Sequence, residues 1–151
     1  MARKRNKHRS LGIFADLVRA INWYDISLQS LLESQGLTTV NRTQSIILAH
    51  IAGGITRPSD IAHDTGATRQ NIHSMAKPLI DARIIEVVPD PEDRRAIQYA
   101  LCEDSLELRD KAVELLRYLD RQLGERIGKD ELKALKHALS QDWGEEISQL
   151  D

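Results

Sequence analysis

Cysteine is nearly absent: Cys102 stands alone among 151 residues. An intrachain disulfide is therefore excluded, and with it a secreted, disulfide-stapled scaffold, which makes a reducing compartment, the cytoplasm, the expected location. Glycine and proline are sparse, at 8 and 4 residues, too few for a collagen-like or low-complexity chain. Long apolar runs are missing as well. The stretch Ile46 to Ala49 is cut by His50 and then by Gly53 and Gly54, whereas a membrane span needs about 18 consecutive apolar residues. A bilayer-spanning helix, and hence a membrane partner, is not expected. There is no glycine-rich phosphate loop, no Gly-x-Ser-x-Gly elbow and no kinase-type motif. The sequence thus offers no catalytic constellation and is not read as an enzyme. Five histidines, His8, His50, His63, His73 and His137, form neither an i, i+4 pair nor a set with paired cysteines, so neither a metal site nor a cofactor is expected.

What is present points to a folded chain. Hydrophobic residues make up 41% of it, too many for disorder throughout, and a domain of this length buries roughly 68–70% of its unfolded surface. Charge is distributed unevenly although the net is only −2. Residues 1–10 carry five basic and no acidic side chains, while residues 102–151 carry eight basic and thirteen acidic ones. Residues 42–101 balance seven against seven. Such a sum argues against indiscriminate coating of polyanions but leaves room for a localised phosphate-binding face. The basic start, Arg3-Lys4-Arg5-Asn6-Lys7-His8-Arg9, precedes Asp16 and Arg19 without a cleavage-site pattern, and is read as part of the mature protein. It is either a disordered tail or an arm that follows a phosphate track or a minor groove.

Apolar residues at Phe14, Leu17, Ile21, Tyr24, Leu28 and Leu31, widened by Val18 and Leu32, alternate steps of three and four and predict an amphipathic helix from about Ser10 to Glu33. Asn41 followed by Gln44 resembles a capping box for a second helix through Ile46, Ile47, Leu48 and Ile51, closed by Gly53-Gly54. Pro58 suits the first turn of a short third helix ending near Asp64. A fourth, Thr68 to about Ala82, places Ile72, Met75, Ala76 and Leu79 on one face. The period then drops to two. Ile84 to Val88 and the alternating Ile97, Tyr99 and Leu101 predict two strands around a polar turn, Pro89 to Arg94. Leu108, Ala112, Leu115 and Leu119, with Leu116, Leu123 and Ile127, mark a long helix from Glu103 that Gly128 ends. A last helix carries Leu132, Leu135, Leu139 and Trp143, and its apolar spacing allows an extension to Ile147. The fold class expected is mainly α with a small β-hairpin. A central unit, 41–102, is bracketed by helical segments 10–40 and 103–151 that pack as a second layer, with residues 1–9 as the arm.

The spacing Ala62, three residues, Gly66, five residues, Ile72 reads as two helices joined by a tight turn: alanine allows close approach, glycine accepts the left-handed turn, and Ile72 locks onto Ile61. In a helix-turn-helix the second helix offers its outward residues to the DNA major groove. Arg69, Gln70, Asn71 and His73 have the donors and acceptors to read base edges, while Ser59, Thr68, Ser74 and Lys77 suit phosphates. The same polar residues taken alone also describe an ordinary solvated helix face. The hairpin adds to the first reading. Placed straight after the second helix it makes a wing, and its tip holds Asp93, Arg94 and Arg95. An arginine there can enter a narrow minor groove, with Asp93 orienting its guanidinium by a charge-assisted bond.

The run Asp93-Arg94-Arg95-Ala96-Ile97-Gln98-Tyr99-Ala100-Leu101 resembles the wing motif of the MarR family of bacterial and archaeal transcriptional regulators, Asp-x-Arg, five residues, Leu-Thr. Gly36-Leu37-Thr38 with Gln44 and Leu48, Arg57 to Ala62, and Gly66 to Gln70 also resemble that family's pattern, so the likeness extends over about residues 10–145. The resemblance implies a winged helix-turn-helix core flanked by N- and C-terminal dimerisation helices. It further implies a homodimer on the half-sites of a pseudo-palindromic double-stranded DNA, commonly a repressor released by a small-molecule effector bound between the two layers. Three positions depart from the pattern. Cys102 replaces the threonine after the wing leucine, shifting the expected cap of the next helix to Asp104 or Ser105. Arg83 stands where the family usually has glycine, and Pro78 lies within the recognition helix, where it removes the bond to the Ser74 carbonyl and usually kinks the axis. Some relatives sense oxidants through a cysteine, usually near the first helix; Cys102 after the wing is read chiefly as a buried, inert thiol. Trp23 and Tyr24 either line an effector pocket for a flat ligand or, as their helical spacing also allows, belong with Trp143 to the core or interface. The rival reading is a winged helix that docks a protein partner without specific DNA binding.

Overall fold

The computed structural model describes residues 12–150. The arm, with Arg3, Lys4, Arg5, Lys7 and Arg9, lies outside the described residues. The elements are α1 (Ile13–Ser34), α2 (Arg42–Ala52), α3 (Pro58–Thr65), α4 (Arg69–Asp81), β1 (Ile85–Pro89), β2 (Ile97–Leu101), α5 (Leu106–Ile127) and α6 (Lys129–Leu139), with a 3₁₀ turn at Glu103–Ser105 before α5. The strands form an antiparallel pair with Val87 opposite Tyr99. Among the described residues, no helix is long and apolar enough to cross a membrane.

Helix boundaries follow from local chemistry. Asn41 and Gln44 form the reciprocal capping box at α2: the Asn41 side chain accepts from the Gln44 N–H, and the Asn41 N–H donates to the Gln44 side chain, each at 3.0 Å. Pro58 opens α3, where a missing N–H costs nothing. Gly66 closes it in the left-handed conformation, φ 66°, and the Ala67 N–H reaches back to the Ala62 carbonyl at 3.0 Å. The same closure ends α4, where the Ile84 N–H donates to Leu79 O at 2.9 Å. Here the left-handed residue is Arg83, φ 56°, at a cost of about 1 kcal/mol against glycine. Helix α4 continues through Pro78 to Asp81.

The principal core lies in the central unit. Ile47 and Ile51 of α2, Ile61 and Ala62 of α3, Ile72, Ala76 and Leu79 of α4, and Ile84, Ile85 and Tyr99 of the hairpin form one buried cluster. Met75 departs from its expected place: it lies at the edge of the buried face of α4, 36% exposed. The outer helices form a thinner layer. Helix α1 packs along α5, and α5 along α6, burying Leu32, Leu115 and Leu119. Gly124 permits the second contact, since a Cβ there would lie 3.2 Å from the Leu132 side chain. A polar junction ties α1 to the start of α2. Asp25 accepts from Arg42 Nε at 2.9 Å and Ser45 Oγ at 2.7 Å, and Gln29 accepts from the Val40 N–H at 2.8 Å. Arg42 also bonds Asn22.

Two expectations near the C-terminus need correction. Helix α6 stops at Leu139, short of Trp143 and Ile147, which are 62% and 92% exposed. Without a surface to cover, their apolar spacing has nothing to bury and does not extend the helix. The cap of α5 is also not a side-chain cap. Ser105 occupies the position, but its hydroxyl donates to the carbonyls of Ile84 and Cys102 at 2.9 and 2.8 Å, tying the helix start to the hairpin.

Because Ile72 joins the second helix of the motif to the core, Ile72→Ala should lower stability by about 2–5 kcal/mol, read as a lower urea midpoint with an unchanged slope. A loss below about 1 kcal/mol would contradict its assignment as the lock between α3 and α4.

Candidate nucleic-acid interface

The exposed first turns of α4 stand beside the wing, and an open cleft of about 440 Å³ lies between them. Its walls bring together Ser59 of α3, Arg69 and His73 of α4, and Asp93 and Arg95 of the wing, with Arg57 and Pro58 at the start of α3. Arg69 and His73 share this wall because they are one helical turn apart. Gln70, Asn71, Ser74 and Lys77 are exposed elsewhere on α4, and Arg94 is exposed at the tip, outside the cleft lining.

Local bonds define what each group still has to offer. Thr68 caps α4, its hydroxyl oxygen accepting from the Asn71 N–H at 3.1 Å; the hydroxyl proton remains for an acceptor such as phosphate. Lys77 pairs with Asp81 at 3.1 Å on an exposed helix face, a contact worth little and readily exchanged. His73 Nδ1 lies 2.8 Å from the Tyr99 hydroxyl, and its Nε2 has no hydrogen-bond partner among the described residues. Asp93 differs from its expected role. Its carboxylate accepts from the backbone N–H of Arg95 at 3.0 Å, so it shapes the turn and does not hold the guanidinium. The Ala96 N–H closes the same turn on the Asp93 carbonyl at 2.9 Å.

The strongest electrostatic feature escaped the sequence reading. Arg57, preceding α3, places Nε 2.5 Å from Asp90 Oδ2 and an amino group 2.9 Å from Glu92. The Asp90 side chain has no solvent exposure and also accepts from the Glu92 N–H at 2.9 Å. The Arg57 bond and that N–H hold its carboxyl down at about 2 against burial, which acts in the opposite direction. Arg57 is pushed up by the same bond. The Tyr99 N–H donates to Thr56 O at 2.9 Å and adds a main-chain link between the wing and the segment before α3. Arg57-Pro58 was visible as a helix start, but nothing local marked residue 90 as its partner.

In the outer layer Trp23 stacks edge-on against Tyr24 with ring centroids 5.0 Å apart, and Arg126 lies over Trp23 at 5.8 Å. The Tyr24 hydroxyl donates to Asp120 at 2.8 Å, and Lys136 holds the other oxygen of that carboxylate at 2.8 Å. Burial and then Asp120 push the Tyr24 hydroxyl up, so it stays protonated. Cys102 is buried, and burial and then Glu86 raise its thiol, which disfavours the reactive thiolate. Among the described residues no group of three or more His, Cys, Asp or Glu side chains is placed to hold a metal ion.

Two helices joined at a left-handed glycine and followed by a β-hairpin define the unit as a winged helix-turn-helix. Residues 38–96 match the family model described as MarR family. No curated protein matches the chain. Among solved structures, a mutant MarR from E. coli complexed with operator DNA is 20% identical, with 83% of this chain and 89% of that one covered and a TM-score of 0.62. NadR in complex with 4-hydroxyphenylacetate is 19% identical, with 91% and 95% covered and a TM-score of 0.65. The transcriptional regulator Tm0710 from Thermotoga maritima is 21% identical, with 83% and 88% covered and a TM-score of 0.54. At these identities the likeness is one of fold, mainly α with a two-stranded wing.

Asp90 makes the fold acid-sensitive with a defined sign. Its folded value, about 2, lies below the ordinary 3.8, so its stabilisation is complete above about pH 4 and is lost as pH falls through about 2. Asp90→Asn should lower stability at neutral pH and flatten the acid limb of the stability–pH curve over that window, measured by urea unfolding. An unchanged acid limb would show that the pair is not formed in solution.

Proposed function

We propose that the protein is a cytoplasmic, sequence-specific DNA-binding transcriptional regulator, acting as a homodimeric repressor on a pseudo-palindromic operator and released by a small-molecule effector. The carrying observation is that Arg69, His73 and Arg95, from two separate elements, line one exposed cleft. No salt bridge within the described residues ties up either arginine. A B-DNA major groove, about 12 Å wide, accepts a helix such as α4. In this reading Arg69, Gln70, Asn71 and His73 meet base edges, and Ser59, Thr68, Ser74 and Lys77 meet phosphates. Arg95, with Arg94 beside it and its backbone set by Asp93, enters the minor groove. Lys77 exchanges Asp81 for phosphate. That an E. coli protein of the same fold is found complexed with operator DNA supports DNA as the partner.

The dimer is supported by apolar surface that one chain leaves in solvent. Ile13, Phe14, Val18 and Ile21 of α1 and Leu135 and Leu139 of α6 are all exposed, apolar surface of the kind a second copy of the chain would cover. The effector would enter against Trp23 and Tyr24, at the outer layer that α1 shares with α5. The ligand complex of NadR, similar over most of its length, supports a small-molecule partner; which molecule binds here is for ligand screening.

Fluorescence anisotropy against the DNA upstream of the protein's own gene, over a range of salt and with scrambled duplex as competitor, tests the reading. Tight, salt-sensitive binding that outlasts the competitor is expected, since phosphate contacts release counterions. Salt-independent or absent binding would favour a protein-docking module. Arg95→Ala should weaken binding across all sequences and reduce the salt slope by about 1, whereas Gln70→Ala should change preference at one base position by about 1–3 kcal/mol. Phe14→Asp should shift sedimentation from dimer to monomer and abolish tight binding to the full operator; a dimer unaffected by that charge would move the interface elsewhere.

A further inference from the structure

The Tyr99–His73 contact bears on what the recognition helix can read. Tyr99 is 1% exposed on β2, and its hydroxyl meets His73 Nδ1 at 2.8 Å, with the rings 6.2 Å apart and 79° between their planes. A buried phenol needs a partner, and here the partner is a side chain of α4 that is otherwise exposed. We propose that Tyr99 sets the hydrogen-bonding polarity of His73, so that α4 presents an N–H donor at Nε2 to a base edge carrying only acceptors, that of guanine or thymine. This rests on the reading of α4 as a major-groove helix.

The chemistry runs through one proton. Burial raises the Tyr99 hydroxyl, which therefore keeps its proton, and a phenol donates better than it accepts because its oxygen lone pair is shared with the ring. Neutral imidazole has one donor and one acceptor nitrogen. Acceptance at Nδ1 puts the hydrogen on Nε2. A protonated ring would reverse the bond to Tyr99 and still leave Nε2–H as a donor, so the group offered to DNA is the same in both states. Guanine shows N7 and O6 and thymine shows O4, all acceptors, whereas cytosine shows a donor and adenine one of each. Tyr99 is thus a positioning residue: it fixes the ring and its tautomer without touching DNA.

Two measurements on the full chain test this. In the free protein, ¹⁵N NMR of the neutral His73 imidazole should show an unprotonated Nδ1 and a protonated Nε2; a proton on Nδ1 would overturn the assignment. Competition anisotropy with duplexes carrying each base in turn should show a guanine or thymine preference at one position. Tyr99→Phe should reduce that preference about 5- to 10-fold while leaving scrambled-duplex binding unchanged. His73→Ala, at an exposed position, should remove the same preference and serves if Tyr99→Phe does not fold. A preference that survives both variants, or one for cytosine, overturns the proposal alone. A wild-type protein without any sequence preference overturns the reading of α4 and this proposal with it.

Discussion

The geometry of the site depends on the pairing of Arg57 with Asp90. Arg57 immediately precedes α3, and Asp90 begins the excursion from β1 to the wing tip. A carboxylate without solvent exposure is costly unless it is paired and its remaining lone pairs are satisfied. Here the guanidinium and the Glu92 N–H do both. The wing is thereby held against the start of the helix-turn-helix at a point where a two-stranded hairpin alone would be marginal. The main-chain bond from Tyr99 to Thr56, on the adjoining strand, makes this a two-point attachment.

With the wing fixed, the charges left over acquire a direction. The central unit is neutral in sum, yet its cations are not equivalent: Arg57 is engaged inside the fold, Lys77 is loosely paired, and Arg69 and Arg95 line an open cleft. Asp93 contributes through shape. By accepting the Arg95 N–H it folds the tip and leaves the guanidinium beyond it without a partner carboxylate. An acidic residue beside an arginine is therefore no sign that the two charges cancel, because the backbone N–H competes for the same oxygen at shorter reach.

The outer layer obeys a different constraint. Its helices bury few residues within one chain, and α1 is joined to α2 largely through the polar junction of Asp25, Gln29, Arg42 and Ser45. At Asp25 burial works against ionisation, but bonds from Arg42 and Ser45 outweigh it and keep the carboxyl below its ordinary value. Charged and hydrogen-bonded contacts have narrow geometric tolerance, so this junction constrains how α1 sits on the central unit more closely than apolar packing would. The apolar side chains of α1 and α6 that stay exposed lie on the same layer.

Local chemistry was legible in the sequence wherever neighbours along the chain decide the outcome. The Asn41–Gln44 box, Pro58 at a helix start, Gly66 in a left-handed turn and the change of period after Arg83 each act within about one turn of chain, and the element order followed from them; the family likeness rested chiefly on the run Asp93 to Leu101. The candidate residues at the cleft were legible by type. Their assignment was not, because a side chain's partner depends on what the fold brings beside it. Asp93 turned to a backbone N–H, Ser105 to the Ile84 carbonyl, and His73 to a tyrosine 26 positions away. Likewise α6 stopped at Leu139 although its apolar spacing runs on, since periodicity states which face a helix would bury and not whether a surface is there to receive it. The sequence by itself thus determined the elements, their order and the chemical types at the site. Only the tertiary structure decided which donors and charges remain unsatisfied, because that depends on contacts between residues far apart in the chain.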